Sequence, residues 1–208
     1  MKIIGLLLSL ILTHSCFAQF KLTKLDKNSV PKNIHYSGKI LQAVRWTDNT
    51  GDNIVLLTAT DKTQSKNAPD DSYIDGALYA YHYLVLGDSI KQTWRVTDYV
   101  KECPVDMFLC FVDKTFAVTD LNKDGNAEIW IMYKVSCQGD VSPVPMKIIM
   151  YEDNKKFAVR GTTRVEPSPN KFMGGEFTFD ETFKGAPWEF RQYAEKLWQQ
   201  HKVETWKQ

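Results

Sequence analysis

The chain has 208 residues, with 26 Lys and Arg against 25 Asp and Glu, so its formal net charge is +1. This length suits one domain or two small ones, and it is long enough to bury a sizeable core. Charged residues at 25% and hydrophobic residues at 43% exclude wholesale disorder, and the missing basic excess argues against a nucleic-acid-binding protein.

Residues 1–18 have the pattern of a signal peptide. Lys2 supplies a short positive region, residues 3–12 form an apolar run, and Ala18 precedes an expected cleavage site before Gln19. The apolar run is too short to span a bilayer, and no later run is long enough. We therefore expect export to the periplasm, the cell surface or the medium. Cys16 leaves a lipid anchor open, but the residues before it lack the aliphatic residue of a lipobox, so soluble export is favoured.

Most of the remaining chain has the composition of β-strands. Nine runs are rich in β-branched and aromatic residues, and Gly, Pro, Asn or Asp bound each of them. The predicted strands are 40–46, 54–60, 77–86, 93–97, 106–112, 116–119, 129–135, 147–151 and 157–160. Hairpin turns are expected at 86–89 and 152–155, and exposed loops at 60–72 and 161–175. Trp46, Trp94 and Trp130 fall in or beside strands and are expected in the core.

The two halves of the chain resemble each other. Trp46-Thr47-Asp48 and the apolar run after it match Val118-Thr119-Asp120 and the run that follows, and each half then continues through a long strand, a turn and a further strand. We predict a single β-rich domain, 19–208, with pseudo-repeat units at about 40–97 and 106–160. The fold class expected is mainly β, with two similar antiparallel β-sheet units. They could resemble propeller blades, but two are too few for a closed propeller, so a sandwich is favoured.

Three cysteines remain after the expected cleavage, and an oxidising compartment favours one bridge and one free thiol. Cys110 lies inside a predicted strand and is expected to be buried as a small hydrophobic residue. Cys103 and Cys137 lie at the edges of elements. The favoured disulfide is Cys103–Cys137, and Cys110–Cys137 is the alternative.

Residues 120–128 carry the strongest local chemical pattern, because oxygen-bearing side chains alternate along them and Gly125 permits a sharp turn. The expected ligands are Asp120, Asn122, Asp124, Asn126 (through its backbone carbonyl) and Glu128. Ca²⁺ prefers about six to eight hard oxygen ligands, which such a loop can gather. The loop resembles the calcium loops of integrin-type FG-GAP repeats. An EF-hand is excluded, since Ile131 occupies its last ligand position and strands flank the loop. The alternative is a solvated polar turn. The shorter stretch 48–53 in the first half is expected to bind no metal.

A helix is predicted at about 187–203, because apolar residues there recur on one face and Pro187 suits its first turn. That face carries Phe190, Tyr193, Ala194, Leu197, Trp198 and His201. We expect the helix to cover a face or an edge of a sheet.

No residue pattern identifies a catalytic centre. His82, between two tyrosines on a predicted strand, is expected to be a packed histidine rather than a base, and Asp70, Asp71 and Asp75 are weak candidates for glycoside chemistry. The six Trp and nine Tyr residues are compatible with sugar stacking, but most lie in strand or helix patterns that predict core packing.

Four segments, 77–83, 119–130, 137–143 and 146–161, resemble a family of exported Bacteroidota proteins that is described as surface polysaccharide biosynthesis proteins and has no assigned chemistry. The resemblance implies a cell-envelope role, with envelope glycan or glycan-assembly proteins as partners. Two hypotheses follow. The first is a calcium-stabilised accessory or binding protein without enzymatic activity. The alternative is a hydrolase or transferase acting on envelope polysaccharide, which would need two facing carboxyl groups about 5 to 10 Å apart.

Overall fold

A computed structural model of the chain describes residues 20–66 and 68–204. The predicted signal peptide, 1–18, lies outside these residues. Strands dominate the structure, and one α-helix closes it, which confirms the predicted fold class. Within the described residues, no helix combines the length and the apolar composition needed to cross a bilayer.

The first sheet is antiparallel throughout. Its strands are β1 (Thr23–Lys24), β2 (Lys39–Asp48), β3 (Gly51–Ala59), β4 (Thr63–Gln64), β5 (Ile74–Leu86) and β6 (Ser89–Cys103). They lie in the order β1-β2-β3-β5-β4, with β6 also paired to β5. Tight turns join β2 to β3 and β5 to β6, and the second turn, at 86–89, was predicted.

The second sheet is also antiparallel. It contains β7 (Met107–Phe111), β8 (Ala117–Thr119), β9 (Glu128–Cys137), β10 (Pro145–Glu152), β11 (Lys155–Thr162) and β14 (Phe177–Phe179), while β12 (Arg164–Ser168) and β13 (Lys171–Gly174) form a separate hairpin. The order is β14-β11-β10-β9-β7. β7 and β8 pair with the same edge of β9, β7 near its C-terminal end and β8 near its N-terminal end. The predicted turn at 152–155 joins β10 to β11.

The two sheets pack against each other through one shared core. Strand alternation points every second residue inward, so each sheet contributes one apolar face. This core contains Val44, Trp46, Val55, Leu57, Leu78 and Trp94 from the first sheet, with Val118, Ile129, Ile131, Tyr133, Ile149 and Tyr151 from the second. In each sheet, four strands pair in chain order as an antiparallel meander: β2-β3-β5-β6 in the first sheet and β8-β9-β10-β11 in the second.

The helix α1 (Trp188–His201) covers the outer face of the second sheet. Phe190, Ala194, Leu197 and Trp198 are its buried residues, and they pack against the outward-facing apolar residues of β9, β10 and β11. The predicted helix is therefore confirmed. Pro187 lies at the N-cap, one residue before the first helical position.

The prediction of a loop at 161–175 was wrong, because this segment holds the end of β11 and the β12–β13 hairpin. Pro167 lies inside β12, where the pairing register shifts between Val165 and Ser168. A proline cannot donate a ladder hydrogen bond, but an irregular position tolerates it. The short strands β1, β4 and β14 were also not predicted, and β4 lies within the predicted loop 60–72.

The structure places Cys103 and Cys137 at disulfide distance, with Sγ–Sγ 2.10 Å and Cα–Cα 5.7 Å. The expectation of a buried Cys110 was wrong, since it is exposed. Leu109 and Phe111 pack against the shared core, so alternation along β7 turns Cys110 to the opposite face, on an edge strand.

Candidate functional site

The acidic loop, residues 120–128, joins β8 to β9 and is organised by side chains that bind its own backbone. Asp120 Oδ1 accepts from the Gly125 N–H at 3.4 Å, Asn122 Oδ1 from the Asp124 N–H at 3.2 Å, and Asp124 Oδ1 from the Asn126 N–H at 2.8 Å. Gly125 has φ +82°, a backbone conformation that residues other than glycine rarely adopt. The alternating oxygen-bearing residues thus form a tight turn, which the side chains of Asp120, Asn122 and Asp124 stabilise by accepting backbone hydrogen bonds.

Glu128, the last predicted ligand, is not brought together with the others. It is fully buried, and its carboxyl group accepts hydrogen bonds from the Leu121 N–H at 2.9 Å and from the Thr119 hydroxyl at 2.7 Å. Burial raises the pKa of Glu128 to about 7, although these two hydrogen bonds act in the opposite direction. Glu128 therefore holds the β8–β9 connection together through buried hydrogen bonds to Thr119 and Leu121.

Further carboxyl groups lie around the acidic loop. Asn122 Nδ2 donates to Asp124 Oδ2 at 3.0 Å and to Glu152 Oε1 at 2.7 Å. Burial, followed by repulsion from Asp124, raises the pKa of Glu152 and also that of Asp153. Lys155 offsets part of this effect at Glu152. The carboxyl groups of Asp124, Glu152 and Asp153 therefore lie close enough to repel one another.

The acidic loop fits a calcium ion only in part. Asp120, Asn122 and Asp124 share one turn, and Asp120 Oδ2 accepts no hydrogen bond from any described residue. With Glu128 turned inward, however, Asp120 and Asp124 are the only carboxylates the loop itself offers. Within residues 20–66 and 68–204, no three or more His, Cys, Asp or Glu side chains are grouped so that they could hold a metal ion.

His82 is a buried structural residue, as expected. Its ring stacks against Trp46 and Trp94, with centroids 5.7 and 5.2 Å away, and burial lowers its pKa to about 4. Asn53 Nδ2 donates to Asp48 Oδ1, so Asn53 Oδ1 accepts from His82 Nε2 at 2.9 Å, and Thr93 Oγ1 donates to Nδ1 at 2.5 Å. His82 is thus neutral and engaged on both nitrogens, which leaves no free base there.

A cavity of about 590 Å³ lies on the outer face of the first sheet. Its lining includes Lys39, Thr63, Asp75, Tyr79, Thr97 and Tyr99, and we refer to it as the tyrosine cavity. Tyr79 pairs with Thr97, and Ala77 with Tyr99, so all four side chains share one face of the β5–β6 hairpin. Tyr99 is 57% exposed; Lys101 Nζ lies over its ring at 5.3 Å from the centroid, and the rest of the ring faces solvent.

Several hydroxyl groups of the tyrosine cavity are available for a ligand. Those of Tyr79, Tyr99, Thr63 and Thr97 make no hydrogen bond to any residue that the structure describes. Tyr81, two residues along the same face, differs: it is buried, and its hydroxyl accepts from the Ser37 N–H at 3.0 Å. An exposed ring beside unpaired hydroxyls is typical of a surface that binds polar organic molecules.

The carboxylates of the tyrosine cavity are already engaged. Asp61 pairs with Lys39 at 2.7 Å. Asp75 accepts from the Ser65 hydroxyl and from the Glu102 N–H at 2.7 Å, and these bonds lower its pKa. Asp70 and Asp71 bond to Ser72 and Gln64, and neither lines this cavity. A general acid needs a raised pKa, so this set favours binding over glycoside cleavage.

Sequence reasoning did not find the tyrosine cavity. The available signal was the alternation of tyrosines along β5, but it does not say which of them remains uncovered. Comparison of the chain with family models, curated proteins and solved structures gave no match.

Proposed function

We propose that the chain is an exported cell-envelope protein that binds a saccharide of the surface polysaccharide in the tyrosine cavity and does not cleave it. The observation that carries the proposal is the exposed Tyr99 ring beside Tyr79, within a cavity of about 590 Å³. The signal-peptide pattern supports export. The resemblance to exported Bacteroidota proteins supports an envelope glycan as the ligand.

The chemistry of the cavity matches a sugar ring. One face of a pyranose carries C–H groups that can stack on a flat aromatic ring, and its edge carries hydroxyls that both donate and accept hydrogen bonds. Tyr99 supplies the ring, and the free hydroxyls of Thr63, Thr97 and Tyr79 supply partners. Since the lining carries Lys39 and Lys101 against Asp61 and Asp75, a neutral or weakly charged saccharide fits best.

Non-enzymatic binding is favoured over the alternative hydrolase or transferase. The carboxyl groups whose pKa values are raised, Glu128, Glu152 and Asp153, do not line the tyrosine cavity. Asp75, which does line it, has a lowered pKa and remains ionised at neutral pH. The carboxyl groups with raised pKa values thus lie away from the cavity, which favours binding over glycoside cleavage there.

Affinity electrophoresis tests this function. The protein should be retarded in gels that contain polysaccharide extracted from the host envelope, and the size distribution of the polysaccharide should stay unchanged after incubation. The variant Tyr99→Ala should run at its unretarded mobility. Trp188→Ala is the matched control, since Trp188 is 62% exposed and does not line the cavity. Shortening of the polysaccharide would support the enzyme instead, and equal retardation of both variants would refute this cavity as the site.

Calcium binding at the acidic loop remains a second part of the proposal. Asp120, Asn122, Asp124 and the Asn126 carbonyl would hold the ion, and its positive charge would offset the repulsion that Asp124 exerts on Glu152 and Asp153. Glu128 could contribute only by giving up its bonds to Leu121 and Thr119. The ion would stabilise the turn and have no part in saccharide binding, because the loop does not line the tyrosine cavity.

A further inference from the structure

A second cavity, of about 720 Å³, opens where the edges of the two sheets meet. It lies between β1 and β2 of the first sheet and β7, β9 and the turn at 112–116 of the second. We call it the edge cavity, and its lining includes Lys24, Leu41, Gln42, Leu57, Lys114 and Phe116. Its volume falls within the roughly 300–1,000 Å³ of pockets that bind small organic ligands.

Most of the edge cavity is apolar. Leu57 and Ile131, at 3% and 1% exposure, belong to the shared core, and Leu109, Phe111 and Phe116 pack against that core from the side of the opening. Leu41 is 60% exposed, at a point where the pairing of β2 with β3 shifts register. The apolar surface open to a ligand is therefore that of Leu41, Leu109, Phe111 and Phe116, with the buried core behind it, and covering this surface with a hydrocarbon chain is favourable.

The rim of the edge cavity is polar and carries a small positive excess. Lys24 and Lys114 line it and take part in no salt bridge within the described part of the chain, while Asp113 supplies the one negative charge. The side-chain amide of Gln42 also makes no hydrogen bond to a described residue. Lys114 has φ +61°, a conformation that Gly adopts more easily. Unpaired cations and a free amide beside an apolar cavity match a ligand with a hydrocarbon body and an anionic end.

We propose that the edge cavity binds a single-chain amphipathic anion of the fatty-acid class. The hydrocarbon chain lies where the sheet edges meet, against Leu109, Phe111 and Phe116. The carboxylate lies at the rim, near Lys24 and Lys114. This site is separate from the tyrosine cavity, and the two have no lining residue in common.

Fluorescence titration with 11-(dansylamino)undecanoic acid, below its micelle concentration, tests the proposal. The probe should bind saturably at one site per chain, with enhanced emission, and a long-chain fatty acid should displace it. Leu41→Glu places a carboxylate at the opening and should weaken binding at least about tenfold. The matched control Leu86→Glu, at a residue 53% exposed in the β5–β6 turn, should bind as the wild type does.

The anionic end is tested with Lys24→Ala combined with Lys114→Gly, since Gly also suits the positive φ. This variant should bind the carboxylate probe several-fold more weakly, and the methyl ester of the probe as the wild type does. Tyr99→Ala should not change probe binding, which separates this proposal from saccharide binding. Absence of saturable binding, or equal binding by Leu41→Glu and the wild type, would overturn the site. If the lysine variant lost the same affinity for the acid as for the methyl ester, the assignment of the anionic end to Lys24 and Lys114 would be overturned.

Discussion

Asn49 of the β2–β3 turn holds the acidic loop of the other sheet at Gly125. The Asn49 backbone N–H donates to the Gly125 carbonyl at 3.0 Å, and its side-chain amide donates to the neighbouring Asp124 carbonyl at 2.8 Å. Corresponding connections of the two similar meanders are thereby joined. The order of the acidic loop thus depends on the first sheet as well as on its own residues.

This contact predicts that Gly125→Ala is destabilising. A Cβ at position 125 would lie 2.2 Å from Asn49 Nδ2, and the φ of +82° adds backbone strain, so we expect a loss of about 1–3 kcal/mol in the free energy of unfolding. Gly87→Ala is the control, because Gly87 has φ +62° and nothing within 4 Å of its ideal Cβ. Urea denaturation should show the larger loss at position 125. Equal losses would mean that the contact with Asn49 contributes nothing.

Glu128 predicts a specific dependence of stability on pH. Its pKa is raised in the folded state, from 4.5 to about 7, so its contribution is fully present below about pH 4.5 and is lost as the pH rises through 7. Glu128→Gln keeps an acceptor for the Leu121 N–H and should unfold with a free energy higher by roughly 1–3 kcal/mol at pH 8.

His82 contributes to the same pH profile with the opposite sign, since its pKa is lowered to about 4 and its contribution is lost as the pH falls below about 6.5. The contribution of His82 cancels when the free energy of unfolding of the wild type is subtracted from that of Glu128→Gln, because both proteins contain His82. Urea denaturation from pH 4 to 8 should show the difference growing with pH. A difference that does not change with pH would contradict the protonation assigned to Glu128.

The disulfide prediction concerns a bridge that closes a segment containing both Cys110 and the acidic loop. Cys137→Ser should lower the free energy of unfolding by about 2–4 kcal/mol, as expected for a loop of sequence separation 34. Cys110→Ser should change it by less than about 0.5 kcal/mol, since Cys110 is exposed. Non-reducing peptide mapping should recover Cys103 and Cys137 in one peptide pair. Recovery of Cys110 joined to Cys137 would contradict the pairing.

Calcium should raise the melting temperature at millimolar concentration if it binds the acidic loop, because a ligand that binds only the folded state stabilises it. Asp124→Asn keeps the acceptor for the Asn126 N–H but removes a negative charge, so it should lose most of the effect. Asp88→Asn, in the exposed β5–β6 turn, should keep it, which controls for general screening. If the wild type had the same melting temperature with calcium and with chelator, the loop would be a polar turn that binds no calcium.

Much of the fold followed from residue periodicity. The apolar run 129–135 predicts a strand that is buried on both faces, and the apolar face that includes Phe190 and Trp198 predicts a helix that covers a sheet. The β12–β13 hairpin could not be predicted in the same way, since its strands are short and Pro167 normally indicates a loop. Cys110 was misplaced because an apolar run on an edge strand does not reveal which face is covered.

The site depended on information that the sequence does not carry. Tyr79, Tyr81 and Tyr83 share one face of β5, yet Tyr81 and Tyr83 are buried with Val30 and Ile34 of the N-terminal segment. Only the packing of that segment decides that Tyr79 remains partly open. Likewise, the spacing of the acidic loop places an oxygen at position 128 but does not say that the Glu128 side chain turns into the interior.

Isothermal titration calorimetry with oligosaccharides prepared from the host envelope polysaccharide tests the central claim most directly. Binding in the tyrosine cavity predicts a saturable heat with one site per chain, and an affinity about tenfold lower or worse for Tyr99→Ala. It also predicts that Trp188→Ala and Leu41→Glu bind as the wild type does. Equal affinities for the wild type and Tyr99→Ala, or a steady heat of turnover in place of saturation, would contradict it.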